Sequence, residues 1–510
     1  MTVADLARGR LRTLVDYIRG RSEGSRLNAL PLTARLAPDS HRVLARPFIP
    51  EGALRIRSIL ARVASLSDTQ VATVLSAALA DYGERHKDIR RSFRQSYATA
   101  VSYLESHEEL SEDRLLVAGA YFTSEYALEA AALFNPSMVP HPDQNGVPEG
   151  SARFIMSLRA CGEGHISSIE FRTGVVDARC EVIVDPTTRF VVTANARADT
   201  RYHKGLYVLK LAEMAPLQHW AQSVLERLDG EFAMSDLVAA IETCRPSNVA
   251  DPPFKETSDN MLWLARSNYE LDFSADSKLS ERVVYPVSES ESRGIEDARF
   301  VRFTYPDDHV AYYATYTAYN GFRVLPQLIE TTDFRHFKVS TLNGRCVQNK
   351  GMALFPRKVG DDFVMAARID GENIYLLRSN NIHFWNESKL VYAPKAPWEL
   401  VQVGNCGSPF ETEKGWLLLT HGVGPVRQYC IGALLLDLVD PSRAIGRLSE
   451  PILMPDPTER DGYVPNVVYS CGAMRHQDHL IIPYAVADMR IRVTAVSIPD
   501  LLARLTPTGL

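Results

Sequence analysis

Two adjacent carboxylates lie in the stretch ESRGIEDARFVRF at 291–303. Glu296 and Asp297 follow a glycine and precede Arg299, and the run 300–303 alternates apolar and polar residues as a β-strand does. A carboxylic acid at the mouth of a strand can donate a proton to a leaving group, provided that burial or a neighbouring charge keeps it protonated near neutral pH. The same residues also suit an ordinary turn, because Asp readily bonds its own backbone.

Composition excludes several classes of function. The chain has 510 residues, 45% hydrophobic and 23% charged, as in ordinary globular proteins of two or three domains. The net charge of −6 offers no basic field for nucleic acid. Seven scattered cysteines without a CxxC pair favour reduced thiols in a cytoplasmic protein, and no cluster has the spacing of metal ligands, so we expect neither metal nor cofactor. The N-terminus 1–20 resembles neither a secretion signal nor a membrane helix, and we expect no membrane partner.

A repeat organises the C-terminal half of the chain. Four units, each a turn followed by short strands, open at Asp297, Ala353, Ser408 and Pro465, so that successive openings are 56, 55 and 57 residues apart. A repeat of about 50 residues built from three or four strands is typical of a β-propeller blade. Together with the strands at 152–172, the four units predict five blades.

The rest of the chain reads as helical attachments to this propeller. Apolar residues at three- and four-residue spacing predict helices in the N-terminal quarter, including one over 124–134 capped by Ser124. The predicted fold is mainly β, a five-bladed β-propeller with an N-terminal helical region and a helical insertion after the first blade. The predicted boundaries are a helical region at 1–130, the first blade at 131–172, a largely helical insertion at 173–281 and the remaining blades at 282–500.

A propeller brings the beginnings of its innermost strands together at one axial funnel, although they are distant in sequence. Carboxylates, amides and cations at these positions suit a polyhydroxylated ligand and an anion. The predicted funnel residues are Asn135, Ser137, Arg159, Glu296, Asp297, Lys350, Arg368, Asn405, His421, Asn466 and Asp488.

Several motifs in order along the chain resemble glycoside hydrolase family 130, whose members are mainly β-mannoside phosphorylases with some β-mannosidases. FNPSMV resembles the family's Asn-Pro opening, SLRA its first-blade arginine, and RGIEDARF the motif that carries its catalytic aspartate. MALFPRKVGDDFVMAAR, GWLLLTHGVG and GYVPNVVYSCG are similar to later blades. The resemblance covers roughly 130–498 apart from the insertion, and it implies a five-bladed propeller acting on an oligosaccharide.

The resemblance also implies roles for individual residues. Asp297 would be the general acid, which protonates the glycosidic oxygen through a hydroxyl of the mannosyl ring while phosphate attacks the anomeric carbon from the opposite face and gives α-mannose 1-phosphate. Phosphate, the only co-substrate expected, would be bound by Asn135, Ser137, Arg159, Arg368, His421 and Tyr429. The sugar would be contacted by Glu296, Arg299, Asn405, Asn466 and Asp488, with Arg299 orienting the site rather than touching the acid.

Two departures from the family pattern keep other functions open. Ala298 replaces the proline of the acid motif, and Gln402 lies where the family's phosphorylases tend to carry a phosphate-binding lysine. Without that cation, hydrolysis by an inverting β-mannosidase is the alternative, with Glu411, Glu413 or Asp461 as the base. A third possibility is a carbohydrate-binding propeller without catalysis. The helical regions leave a homo-oligomer open.

Overall fold

The computed structural model describes residues 29–197, 201–214, 216–246 and 252–508. The prediction that the N-terminus 1–20 carries no secretion signal lies outside these residues. Within them, no single helix is long and apolar enough to cross a membrane, although two helices joined by a sharp bend, at 53–64 and 68–82, pass the same length and composition test together.

Helices occupy the N-terminal quarter and the segment between the first two large sheets. The capping box of Ser67 and Gln70 shows how the sequence specifies one of them, since each side chain bonds the main-chain N–H of the other. The helices are α1 (Ala53–Ala64), α2 (Asp68–Tyr82), α3 (Ile89–Val101), α4 (Glu112–Tyr121), α5 (Lys204–Met214), α6 (His219–Leu225), α7 (Met234–Thr243), α8 (Pro252–Arg266) and α9 (Ile498–Arg504).

Strands make up most of the remaining chain. Those before the repeat are β1 (Leu30–Leu36), β2 (Val43–Pro47), β3 (Thr123–Ala127), β4 (Ala132–Pro140), β5 (Ala152–Cys161), β6 (Ser167–Val176), β7 (Val182–Val184), β8 (Val192–Thr193), β9 (Asn195–Arg197), β10 (Tyr202–His203), β11 (Glu231–Phe232), β12 (Tyr269–Asp272) and β13 (Arg282–Val284). Those within it are β14 (Ile295–Thr304), β15 (Val310–Tyr319), β16 (Val324–Thr331), β17 (His336–Thr341), β18 (Ala353–Leu354), β19 (Phe363–Ala367), β20 (Ile374–Ser379), β21 (Glu387–Tyr392), β22 (Gln402–Asn405), β23 (Phe410–Thr412), β24 (Gly415–Val423), β25 (Tyr429–Leu436), β26 (Ala444–Arg447), β27 (Val468–Tyr469), β28 (Met474–His476), β29 (His479–Val486), β30 (Arg490–Ser497) and β31 (Thr506–Pro507).

Five sheets of four to six strands dominate the described residues, so the fold is mainly β with helices attached. The first sheet has the order β4-β5-β6-β13-β8 with β7 on β6, and the second β14-β15-β16-β17-β12-β9. The third is β18-β19-β20-β21, and the fourth β22-β24-β25-β26-β31 with β23 on β24. The fifth is β1-β30-β29-β27 with β28 on β29. The four repeat units correspond to the second to fifth sheets.

Each of the five sheets packs its apolar faces against two others. One buried cluster joins the first and second sheets, where the rings of Phe171 and Phe300 meet edge to face with centroids 6.0 Å apart. Further clusters join the second sheet to the third, the third to the fourth, the fourth to the fifth, and the fifth back to the first. The sheets therefore form a ring.

The N-terminal region differs from its prediction as a helical segment. Strand β1 joins the outer edge of the fifth sheet, where Leu30 pairs with Ala495. The predicted helix over 124–134 is wrong, because β3 and β4 occupy these residues and β3 pairs with β2. Tyr126 is buried there and donates from its hydroxyl to two main-chain carbonyls. This tertiary packing outweighs the helix propensity of the alanines.

The predicted insertion is only partly helical. Helices α5 to α8 share one apolar core, as the sequence pattern indicates. However, β9 and β12 extend the second sheet, while β7 and β8 extend the first. The segment between the first two sheets thus contributes paired strands to both of them. The first sheet also extends beyond the predicted 131–172, because it includes 282–284.

Candidate active site

Matching bulges in two neighbouring sheets aim two polar side chains at each other. The pairing of β4 with β5 gains one residue between Phe134 and Ser137, and that of β14 with β15 gains one between Glu296 and Arg299. Asn135 has φ of 49° and Asp297 has φ of 56°, a region that Asn and Asp tolerate better than most residues. The Asn135 Nδ2 donates to Asp297 Oδ1 over 2.6 Å.

Cations surround Asp297. Arg159 Nη1 lies 3.4 Å from Asp297 Oδ1, and Arg299 Nη1 donates to the main-chain oxygen of Asp297 over 3.0 Å. Burial by itself would raise the pKa of the Asp297 carboxyl, but Arg159, Arg299 and the Asn135 amide together lower it below its ordinary value. A general acid must hold its proton near neutral pH, whereas the protein's own groups favour the ionised form of Asp297.

Glu296 holds the cations in place beside this acid. Its carboxylate accepts from Arg159 Nη2 over 3.0 Å and forms a short ion pair with Lys350 Nζ. The Lys350 ammonium also lies 5.7 Å from the centre of the Tyr319 ring. Glu296 therefore links a cation of the first sheet to one in the loop before β18, and it faces the same site as Asp297.

Asp488, which follows β29, is a second carboxyl in the same field. Burial and the charge of Asp297 raise the pKa of Asp488 to about 7, against the opposing effect of Arg159 and Arg427. Its Oδ1 is buried without a hydrogen-bond partner among the described residues. The pKa values of Asp297 and Asp488 are thus pushed in opposite directions, which is the usual sign of two carboxyls with different tasks.

His421 is fixed in one tautomer. Arg368 Nη1 lies 3.2 Å from His421 Nε2, and because a guanidinium only donates, Nε2 must accept. Nδ1 then carries the proton and donates to the main-chain oxygen of Asn405 over 3.2 Å. Burial, followed by the charges of Arg368 and Arg299, lowers the pKa of His421 well below its ordinary value, so the ring is neutral. A Cβ on Gly404 would lie 2.5 Å from ring Cε1.

Two tyrosines close the same wall of the site. Tyr429 lies nearly parallel to His421, with centroids 6.0 Å apart. Tyr469 packs 4.9 Å from His421, and its hydroxyl accepts from Arg299 Nη2 over 2.7 Å. Sequence reasoning missed Tyr469. The signal was its position in NVVYSCG, at the inner strand of the fifth sheet.

The structure thus brings most of the predicted residues together, from all five sheets. They are Asn135, Arg159, Glu296, Asp297, Arg299, Lys350, Arg368, Asn405, His421, Tyr429 and Asp488. Asn466 approaches through its backbone, since its carbonyl accepts from the Tyr429 N–H over 3.0 Å.

The placement of Ser137 corrects its prediction as a phosphate ligand. Its side chain is fully buried, and its Oγ accepts from the main-chain N–H of Phe300 over 3.0 Å. Ser137 therefore joins the first sheet to the second, and its side chain is closed to solvent.

Of the carboxylates suggested as hydrolytic bases, Glu411 lies away from the site. Glu411 pairs with Arg357, whose Nε donates to Oε2 over 2.7 Å. Glu411 is paired across the ladder with Trp416, five residues before His421, which corresponds to about 16 Å along a strand. Glu413 and Asp461 are exposed, and Gln402 is half-buried at the start of β22. Among the described residues, no group of three or more His, Cys, Asp or Glu side chains is arranged to hold a metal ion.

Sequence comparisons find similarity to phosphorylases that act on mannosides. A family model described as β-1,4-mannooligosaccharide phosphorylase matches residues 269–506. The chain is 33% identical over 231 residues to a 1,2-β-oligomannan phosphorylase of Thermoanaerobacter sp. (strain X514), which is 44% of this chain and 75% of that protein. It is 30% identical over 256 residues to a β-1,2-mannobiose phosphorylase of Listeria innocua, 49% of this chain and 70% of the relative.

The solved structure of a β-1,2-mannobiose phosphorylase from Listeria innocua in complex with β-1,2-mannobiose has 20% sequence identity to this chain and a TM-score of 0.44. The match covers 74% of this chain and 92% of that one. On the identity shared with the two relatives over at least 70% of their length, the chain belongs to glycoside hydrolase family 130.

Proposed function

We propose that the protein cleaves β-mannosides by phosphorolysis and releases α-mannose 1-phosphate. One observation carries the proposal, namely the convergence of four cationic side chains on a site that also holds an acid. Arg159, Arg299 and Lys350 surround Glu296 and Asp297, while Arg368 lies against His421. The proposal agrees with the names of the two relatives, both of which are phosphorylases.

The fold that positions this site is, in our proposal, a five-bladed β-propeller. Its support is the ring of five sheets, each packed on two neighbours, together with the first strands that deliver Asn135 and Asp297 to a common centre. The segment between the first two sheets is then an insertion attached to the rims of two blades.

Phosphate would bind between Asp297 and the wall formed by Arg368, His421 and Tyr429. Guanidinium groups match the geometry of phosphate oxygens and keep their charge at any physiological pH. Among the described residues, the buried Nε atoms of Arg159 and Arg368 have no hydrogen-bond partner. The protein's own contacts thus leave cationic donor capacity unused.

Phosphate binding also resolves the protonation of Asp297. The cations that lower the pKa of this carboxyl would be neutralised by a phosphate dianion, and burial would then dominate and raise the pKa. The acid would therefore gain its proton together with the nucleophile. Because the pKa of Asp488 is about 7, this carboxyl is partly protonated near neutral pH. It would therefore bond a sugar hydroxyl without adding a full negative charge to the site.

The reaction is then a single displacement. A phosphate oxygen forms a bond to the anomeric carbon as the bond from that carbon to the glycosidic oxygen breaks. The leaving oxygen takes a proton relayed from Asp297 through a mannosyl hydroxyl, which in turn receives the Asp297 proton. Attack opposite the leaving group inverts the β-anomer to the α-phosphate.

Hydrolysis is the second candidate because of Gln402, where the family's phosphorylases tend to carry a lysine. Two observations favour phosphorolysis over it. Lys350 supplies an ammonium to the site from the loop before β18, and Glu411 is paired with Arg357, opposite Trp416 and thus five residues along β24 from His421. The remaining candidate bases, Glu413 and Asp461, are exposed.

The test is the initial rate on β-1,2- and β-1,4-mannobiose as inorganic phosphate is varied. Phosphorolysis predicts a rate that saturates with phosphate and is negligible without it. A rate that is unchanged by phosphate would establish hydrolysis instead. If the folded protein turned over no β-mannoside at all, the remaining function would be that of a carbohydrate-binding propeller without catalysis.

A further inference from the structure

A separate cavity lies at the rim of the protein, where the helices of the insertion meet the outer part of the second sheet. Its volume is about 190 Å³, and its walls come from β10, α5, α8 and β17 and from the segment around His383. None of the residues assigned above to the candidate active site lines it. The cavity is therefore independent of the funnel.

Positive charge dominates the lining. Arg201, His203 and Lys338 line the cavity, and among the described residues none of these three side chains has a hydrogen-bond or ion-pair partner. Glu231 is the single carboxylate in the lining, again within the part of the chain that the structure describes. Lys210 is buried and already paired with Glu213 over 3.0 Å. An anion is the natural counterpart of such a lining.

A residue with a buried, unpaired hydroxyl lines the same cavity. Thr341 is 4% exposed, it lines the cavity, and its Oγ1 has no hydrogen-bond partner in the described structure. The main-chain N–H of Thr341 is already satisfied by Asn268 Oδ1 at 2.8 Å. An unpaired buried hydroxyl destabilises a folded protein, and a ligand oxygen in the cavity would supply the missing partner.

His383 adds a neutral donor. Burial and the neighbouring charge of Lys338 lower the pKa of His383 to about 4, so its ring is uncharged at neutral pH. Its Nδ1 lies 3.3 Å from Ser340 Oγ. A neutral imidazole has one N–H and one acceptor nitrogen, so the cavity is lined by cations, a residue with a buried hydroxyl and an uncharged ring that can bond a ligand.

We infer that this cavity binds a phosphoryl group, either as inorganic phosphate or on a small phosphate ester. Several donors converging from different directions match the oxygens of a tetrahedral anion better than a planar carboxylate. The cavity is smaller than the roughly 300–1,000 Å³ of sites for drug-sized ligands, which limits the ligand to about the size of a sugar phosphate. This inference does not depend on the reaction in the funnel.

Calorimetric titration of the full-length protein with inorganic phosphate tests the inference. We expect two equivalents for the wild type and one for Lys338→Glu. Lys414→Glu, which reverses an equally exposed lysine in the 412–415 hairpin, is the matched control and should retain two. Arg368→Ala should lose the funnel equivalent and keep the cavity equivalent.

The two sites fail separately in this design. The cavity site would be overturned if the wild type bound only one equivalent of phosphate, if Arg368→Ala abolished that binding, and if Lys338→Glu left it unchanged. If the wild type bound one equivalent of phosphate and only Lys338→Glu abolished it, the result would support the cavity site and contradict phosphate binding in the funnel.

Thr341→Val gives a second readout that does not rely on a change of charge. It removes the unpaired hydroxyl at nearly constant shape, so we expect a melting temperature equal to or above that of the wild type and about tenfold weaker phosphate binding in the Arg368→Ala background. Unchanged binding in this variant would contradict the site. Titrating the same background with mannose 1-phosphate identifies the source, because tighter binding than inorganic phosphate assigns the cavity to an ester and weaker binding assigns it to the free ion.

Discussion

The Asn135 amide donates to the Asp297 carboxylate over 2.6 Å, and both residues lie at positive φ in matching bulges of adjacent sheets. Neither side chain would reach the other from a regular strand, since the extra residue in each bulge redirects the chain. The acid is thus positioned by backbone geometry that Asp and Asn tolerate and most residues do not.

Asp297→Asn should abolish catalysis without disturbing the fold. Asn tolerates the positive φ of 56° and keeps a hydrogen-bonding side chain, but it has no proton of the required acidity. We expect kcat to fall by about 10²–10⁴-fold in a folded protein with a modestly lower melting temperature, because Arg159 loses a charged partner. For Asp297→Ala we expect an equal fall in kcat and a further loss of about 1 kcal/mol in the free energy of unfolding, because alanine is strained at a positive φ. Near-wild-type turnover by Asp297→Asn would remove Asp297 from the chemistry.

Asp488→Asn should change how stability depends on pH. The pKa of Asp488 is raised to about 7 in the folded protein, so its contribution to stability is complete below the unfolded value near 3.9 and is lost as pH rises through 7. The variant should therefore be more stable than wild type at pH 8, by about 1–3 kcal/mol, and similar at pH 4. Urea denaturation at the two pH values measures this. An equal difference at both would show that Asp488 does not titrate near neutrality.

Gly404→Ala should displace His421. The new Cβ would lie 2.5 Å from ring Cε1, inside any normal contact, so the ring must move away from Arg368 and the Asn405 carbonyl. We expect at least a tenfold increase in KM for phosphate, with a smaller change in KM for the mannoside. Gly230→Ala is the control, because its Cβ would meet no atom within 4 Å. Unaltered phosphate kinetics in Gly404→Ala would place the anion away from His421.

A buried ion cluster outside the active site should govern stability. Arg42 Nε lies 3.0 Å from Glu129, and Arg42 Nη2 lies 2.6 Å from Glu170. Arg172 pairs with the same two carboxylates, and burial with the charge of Glu170 raises the pKa of Glu129 to about 8.

Arg42→Met leaves two buried acids with one cation, and we expect the free energy of unfolding to fall by about 3–5 kcal/mol at pH 8. The loss should be smaller at pH 5, because Glu129 is then protonated in the wild type as well and Arg172 alone can balance the charge of Glu170. Arg35→Met, at an exposed position of β1, should change stability by less than about 0.5 kcal/mol at either pH. A similarly small effect for Arg42→Met would show that the cluster is not stabilising.

Sequence periodicity predicted the repeat well because each unit is a local meander whose strands pair with their neighbours in the chain. Residues 30–36 gave no such signal, since β1 pairs with β30 at the far end of the sequence, with Leu30 opposite Ala495. Strand β3 was predicted as a helix because an alanine-rich segment favours a helix until tertiary contacts decide otherwise.

In the candidate site, too, some features could be predicted from the sequence and others depend on contacts between distant parts of the chain. Residue types near strand beginnings identified Asp297, Arg159 and His421, but the same reasoning also selected Ser137, whose side chain is fully buried between two sheets. A bulge between Phe134 and Ser137 decides which side chains of β4 reach the site, and a single sequence does not reveal one. The protonation of Asp297 was likewise out of reach, because Arg159 approaches it from another sheet.

Phosphorus NMR of the reaction with β-mannobiose and inorganic phosphate separates phosphorolysis from hydrolysis in one experiment. We expect the phosphate signal to be replaced by the signal of α-mannose 1-phosphate, in an amount equal to the mannose released. Free mannose appearing while the phosphate signal stays constant would contradict it.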